Sequence, residues 1–273
     1  MGDSNLNTFV TDLKRSLFSW GFLVAVVGMA VSAFLSVLDQ IIPIFQGEMS
    51  EKLQVGYSIQ LSIESLTSEV LLLALPILAA LPFTTAFIDD YRSKYLREYL
   101  PRAGKRQYII SKISATAIAG GLTLFVGILL VCFVFTLLLS PMEIAPQAVT
   151  DNTAMIEANA IDITAQLTFV DLIGRAFLFF LSGALWSLVG GLFATITMSK
   201  YMAYASPFIF YYVLVILSQR YFTNIYVLNP QEWLNPSELW NAGIWGAVLF
   251  VSELIVLLSI AYYAIMRRRL QDA

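Results

Sequence analysis

The chain has 273 residues, 58% of them apolar and 13% charged, with a mean hydropathy of +0.75 and a formal charge of −3. Soluble domains hold about 45–50% apolar and about 25% charged residues, so this composition excludes an ordinary soluble enzyme. It describes an all-α polytopic membrane protein built as one unit, residues 1–273. Histidine is absent and Cys132 is the single cysteine, which excludes His-dependent acid–base chemistry, histidine metal sites and an intramolecular disulfide.

Residues 7–20 open the pattern. Phe9, Val10, Leu13, Leu17 and Trp20 recur at three- and four-residue steps, with Asp12, Lys14, Arg15 and Ser19 between them. That is an amphipathic helix lying at a membrane interface, or a simple topogenic flank. A spanning helix needs about 20 mostly apolar residues. Six stretches qualify: 18–38, 68–88, 109–139, 170–198, 201–218 and 244–266. The first contains Val31-Ser32-Ala33, a weak match to a signal-peptide cleavage site, but its apolar run continues past that point. Cys132 falls inside the third and reads as a small hydrophobe.

Basic residues orient the spans. Lys14 and Arg15 precede the first. Seven more (Arg92, Lys94, Arg97, Arg102, Lys105, Arg106 and Lys112) fill the second-to-third connection. Lys200 lies in the fourth-to-fifth turn, and Arg267, Arg268 and Arg269 follow the last span. Only Lys52, Arg175 and Arg220 lie elsewhere. Both termini are therefore expected on the cytoplasmic side of the plasma membrane.

Within the basic connection, Tyr91, Tyr95 and Tyr99 fall at i, i+4 and i+8 beside Leu96 and Leu100, while Arg92, Lys94, Arg97 and Glu98 take the other face. Pro101 ends this helix, because it cannot continue the ladder. Such a segment either transmits force from a partner or rests on anionic lipid. Here the residues resemble the segment after the second span in type-2 ATP-binding-cassette exporter permeases. Leu100-Pro101, Arg106, Tyr108-Ile109-Ile110 and Ser111-Lys112 stand at the matching positions, with Gly104-Lys105-Arg106 in place of the usual small-Arg pair and Asp89-Asp90-Tyr91-Arg92 in place of the usual Glu-x-x-x-Gly-Thr opening.

The resemblance implies a six-span fold with an N-terminal connecting helix and a coupling helix at 91–100 that docks on a separate ATPase through Tyr91, Arg92, Tyr95, Leu96, Tyr99, Leu100 and Arg102. It implies two copies of that ATP-binding subunit, carrying ATP and Mg²⁺, and a second permease, identical or homologous, in a bacterial cytoplasmic membrane. No cofactor is implied in this chain. No G-x-x-x-x-G-K-[ST] occurs in it, so ATP hydrolysis falls to the partner. The cargo implied is an amphipathic peptide, of bacteriocin or modulin type, or a hydrophobic small molecule. Nucleic acid is not an expected partner; membrane lipid is.

The loops at 39–67 and 140–169 are long and acidic, and solvated loop charge is the simpler account of them. Between the fifth and sixth spans stand two hexapeptides, LNPQEW and LNPSEL. Asn229 and Asn235 are N-cap candidates, Pro230 and Pro236 fit the first helical position, and Glu232 and Glu238 sit where a capping box closes. Trp233 and Trp240 suit the headgroup layer and, by the resemblance, an outer gate in short re-entrant helices.

Ionisable residues inside spans are candidates for function. Glu253, in the last span, is expected to face the bundle or a wet cavity. It would serve an ion-coupled secondary carrier, the alternative to the exporter, or a structural hydrogen bond. Asp171 and Arg175 are spaced for an i,i+4 pair. Asp89-Asp90, at a span boundary, reads as solvated. By the resemblance, spans two and five line the path, which nominates Leu75, Thr84, Phe208, Tyr211 and Tyr212. No Ser–Lys or paired-Asp arrangement within the spans favours an intramembrane enzyme.

Overall fold

A computed structural model describes residues 3–46, 57–93, 96, 100, 104–139, 153–236, 240 and 243–271, and their side chains except those of 3–7 and 153–171. Among the described residues the chain is helical, without strands. The helices are α1 (Asp3–Leu17), α2 (Trp20–Ser36), α3 (Leu38–Gln46), α4 (Tyr57–Leu66), α5 (Glu69–Ala80), α6 (Ala86–Arg92), α7 (Lys105–Leu139), α8 (Thr153–Thr197), α9 (Lys200–Arg220), α10 (Pro230–Leu234) and α11 (Ile244–Arg269).

Among the described residues four helices are long and apolar enough to cross a membrane: α7, α9, α11 and the Leu172–Thr197 part of α8. Two bent pairs raise the count to six if each is one span. Thr8–Leu17 meets α2 at 49°, and α4 meets α5 at 69°. This is a membrane protein, with four to six candidate spans.

Two departures from the sequence reading have local causes. Residues 39–67, expected as a loop, contain α3 and α4. The buried face of α4 carries Ser58, Ser62 and Ser65 beside Leu61 and Leu66. The Ser62 and Ser65 hydroxyls donate to the carbonyls of Ser58 and Ser62 at 2.8 and 2.7 Å, so their polarity is spent inside the helix and left no apolar run to read. The stretch 68–88, expected as one span, breaks after Ala80. Pro82 has no N–H to give the ladder, Leu81 N falls back on Leu78 O at 3.4 Å, and Thr84 Oγ1 takes the Ala80 carbonyl at 2.5 Å.

The bundle centres on α8. In its most apolar window 78% of residues are buried, against 11% for α11, which lies at the periphery. α7 and α8 cross backbone against backbone at Gly120 and Gly183. A Cβ on either glycine would overlap the other helix's backbone or the Ser187 side chain. Ser187 Oγ donates across this seam to Thr116 O at 2.8 Å. Small residues permit this closeness, and it replaces the hydrophobic effect that lipid does not supply between helices.

Candidate functional site

The basic residues converge at one end of the bundle, where the C-termini of α1, α8 and α11 meet the start of α7. Three cations close helix ends by donating to terminal carbonyls: Arg92 to Met198 O at 3.2 Å, Lys105 to Leu270 O at 2.9 Å and Arg269 to Ile196 O at 2.6 Å. Such carbonyls lack intrahelical partners and carry the negative end of the helix dipole. Met198 itself adopts φ 51°, the left-handed turn that ends α8, in a position usually given to glycine. Lys200 pairs with Asp89, tying α9 to α6.

Beneath this rim is a buried ion cluster. Tyr108 and Lys112 lie four residues apart on one face of α7, with Ser111 alongside. Lys112 Nζ reaches Asp12 Oδ1 of α1 at 2.7 Å and Asp90 Oδ2 of α6 at 2.8 Å. Arg15 Nη1 meets Asp90 Oδ1 at 2.8 Å, and Tyr108 OH donates to Asp90 Oδ2 at 3.0 Å. Ser111 Oγ donates to Asp12 Oδ2 at 2.7 Å. The Lys112 ammonium also stands 5.0 Å from the centre of the Phe83 ring and 5.5 Å from that of Tyr108.

The side chains of Lys112 and Asp90 are each 3% exposed, and two carboxylates balance two cations. Burial alone would push the Asp90 carboxyl up, but Lys112 and Arg15 together outweigh it and hold it below the usual carboxylate range. The hydrogen bond to Asp90 raises Arg15 in turn. Asp90 is therefore not the solvated boundary residue expected from sequence. Asp89, its neighbour, is the half-exposed one.

The residues nominated for coupling divide. Tyr91 is exposed and meets the Phe87 ring at 6.2 Å, and Arg92 caps the end of α8. Leu96, grouped from its spacing with the partner contacts, is instead 5% exposed and packs with Phe87, Tyr108, Ile109 and Met266; Leu100 leans on the same cluster. Both leucines anchor the connection to the bundle. Tyr95, Tyr99 and Arg102 lie outside the described residues, as do Lys94, Arg97, Glu98 and Pro101.

The opposite end is aromatic. Trp186 of α8 meets Tyr211 edge-on at 5.6 Å and stacks on Trp233 at 6.2 Å. Phe250 then links Trp233 at 5.7 Å to Trp240 at 6.1 Å, and Tyr226 meets Trp240 at 5.2 Å. The Asn229 side chain caps α10 by accepting from Gln231 N at 3.2 Å, and Trp233 Nε1 donates to Val227 O at 2.8 Å. Trp233 and Trp240, expected in the headgroup layer, are buried in this plug, each against Phe250. Pro236 begins no described helix, and Glu238 lies outside the described residues. Arg175 donates to Asn235 Oδ1 at 2.7 Å; the side chain of Asp171 is outside the described set.

The path candidates divide between the core and the flank of α9. Leu75, Thr84 and Tyr211 are buried in the core. Phe208 and Tyr212 stack on each other at 6.3 Å on the side of α9, where Tyr212 is half exposed. Glu253, expected to face the bundle, lies on the exposed face of α11 in line with Leu249, Val256 and Ile260. The reason is that α11 is apolar all round, so its sequence did not say which face packs. Glu253 thus serves no path inside a single copy.

What sequence reasoning missed is the Asp12–Lys112–Asp90 joint. A lysine four residues inside a span, with an acid pair at the end of the preceding span, was the signal available. Compared with known proteins, the chain matches no family model, no curated protein and no solved structure.

Proposed function

We propose that the chain is the membrane permease subunit of an ATP-binding-cassette exporter. In this reading α2 by itself and the bent α4–α5 pair are spans, which with the other four gives six. The basic end, with both termini, faces the cytoplasm, as the distribution of Lys and Arg requires. α1 lies in the inner interface, and α10 lies in the outer leaflet, where the aromatic plug of Trp233 and Trp240 closes the exit. The observation that carries the reading is the joint under the 91–100 connection. Asp90 precedes that connection on α6 and Lys112 follows it on α7, and the two residues are bound to each other and to α1. A push on it is therefore passed to three helices at once.

Two ATP-binding subunits, holding ATP and Mg²⁺, supply that push. A second permease, identical or homologous, completes the passage for an amphipathic peptide or hydrophobic small molecule. This chain does no bond chemistry; it couples and lines. The test is purification of the tagged full-length chain from native membranes in mild detergent. An ATPase subunit is expected to co-purify, and to be depleted at least tenfold by Arg92→Ala/Tyr95→Ala with the permease still eluting as one sharp species. Absence of any ATPase, even after cross-linking, overturns the proposal. Leu96 is left intact in this test because its substitution would empty a core site.

A further inference from the structure

Two clefts open at the basic end on either side of one ridge of α7. The first, about 670 Å³, lies between α1 and α7 and takes Phe9 and Ser114 into its wall. The second, about 660 Å³, lies between α7 and α11 against Ile109, Tyr263 and Arg267. Lys105, Arg106 and Ile110 border both. Among the described residues no carboxylate lines either one.

The lining is tiered. On α7, Arg106 stands one turn nearer the helix end than Ile110, which is 49% exposed. On α11, Arg267 stands one turn nearer the end than Tyr263. Because the helices are antiparallel, the two arginines share one level and the apolar residues the level beneath it. Lys105 closes the rim through its bond to Leu270 O at 2.9 Å. Arg106 and Arg267 have no ion-pair partner among the described residues, whereas Lys105, Arg269 and Arg15 at the same end are spent on a carbonyl or a carboxylate.

We infer that these clefts form a binding site for one anionic phospholipid, its phosphate held between Arg106 and Arg267 and its acyl chains laid on either side of Ile110, along Phe9 and along Tyr263. The charge sign selects the headgroup, since guanidinium groups take phosphate oxygens in pairs. The apolar tier selects a lipid over a free anion, because a soluble phosphate has no use for Ile110 or Tyr263. Basic residues at this level belong to the leaflet that carries anionic lipid. The inference depends on the membrane-spanning character of the chain and not on the transport reading.

The experiment is native mass spectrometry and thermal melting of the full-length chain in detergent. The additions are phosphatidylglycerol, phosphatidylcholine of matched acyl chains, or inorganic phosphate. Phosphatidylglycerol is expected to bind with a one-to-one adduct and to raise the melting temperature, and the other two are not. Arg106→Gln/Arg267→Gln should weaken binding roughly 30-fold, about fivefold for each basic residue. Lys14→Gln/Arg268→Gln removes the same charge from the same end outside the clefts and should leave binding intact. Ile110→Asp, an exposed position shared by both clefts, should abolish the adduct. Equal response to phosphatidylcholine, an equal loss in the Lys14/Arg268 control, or saturation of the site by inorganic phosphate alone would each overturn the proposal.

Discussion

The two ends of the bundle are held by opposite chemistries. At the basic end, Lys112 and Arg15 bind Asp12 and Asp90 at 2.7–2.8 Å, with Tyr108 and Ser111 completing the set. At the other end, six aromatic rings from Trp186 to Tyr226 pack at 5.2–6.2 Å with few directed bonds between them. Ion pairs in a dry site tolerate one geometry, because a displaced charge is left desolvated and alone. Ring contacts are individually weak and accept offset, edge and tilted arrangements alike. The basic end is thus built to keep register among α1, α6 and α7, and the aromatic end to hold α8 to α11 together while letting rings slide.

The largest effect that would break this contrast is at Lys112. Lys112→Met leaves the buried Asp90 with Arg15 as its one cation and the part-buried Asp12 without an ion pair among the described residues, and about 3 kcal/mol of stability should be lost in denaturant unfolding in detergent. Removing the charges together, as Asp12→Asn/Asp90→Asn/Lys112→Met, should recover much of that loss; failure to recover would mean that the charges do more than fix register. Trp233→Ala empties part of the plug and should cost about 3 kcal/mol. The loss should fall on protection of α10 and the N-terminal half of α11 in hydrogen exchange, with α1 unaffected.

Acid should separate the ends. Asp90 titrates lower in the folded chain than in the unfolded one. Its stabilisation is therefore complete above about pH 4 and drains away as pH falls through the folded value. Melting temperature should drop over that window, with exchange rising first in α1 and α6 while tryptophan emission from the plug stays constant. Asp90→Asn should flatten the drop. The smallest effect is expected at Glu253→Gln, within about 0.5 kcal/mol for the isolated chain, since this side chain lies on an exposed face of α11.

Hydropathy read the membrane character and the helical fold, because a run such as 109–139 is apolar enough to need no context. Basic residues foretold which helix ends lie together, and Arg92, Lys105 and Arg269 now mark that end by their bonds to terminal carbonyls. Packing direction was hidden wherever a helix is apolar on every side, which is why Glu253 was turned the wrong way. Charge pairing was hidden for a different reason. Asp12, Asp90 and Lys112 are far apart in sequence, and each alone looks like a hydrated residue at a span boundary. Serine-rich α4 escaped notice because its hydroxyls are satisfied by its own backbone, which hydropathy scales score as polarity.

The glycine crossing of α7 and α8 also has a mechanical side. With no side chain between the backbones at Gly120 and Gly183, the two helices are held backbone to backbone at that level. At 1.5 Å per residue, α8 extends about 45 Å from Gly183 toward Thr153 and about 21 Å toward Thr197. Gly183 is therefore a fulcrum with arms of roughly two to one. Any rocking of α8 about that point moves its far end about twice as far as the end that meets the ion-paired joint, so a small stroke at the basic end becomes a larger one across the membrane.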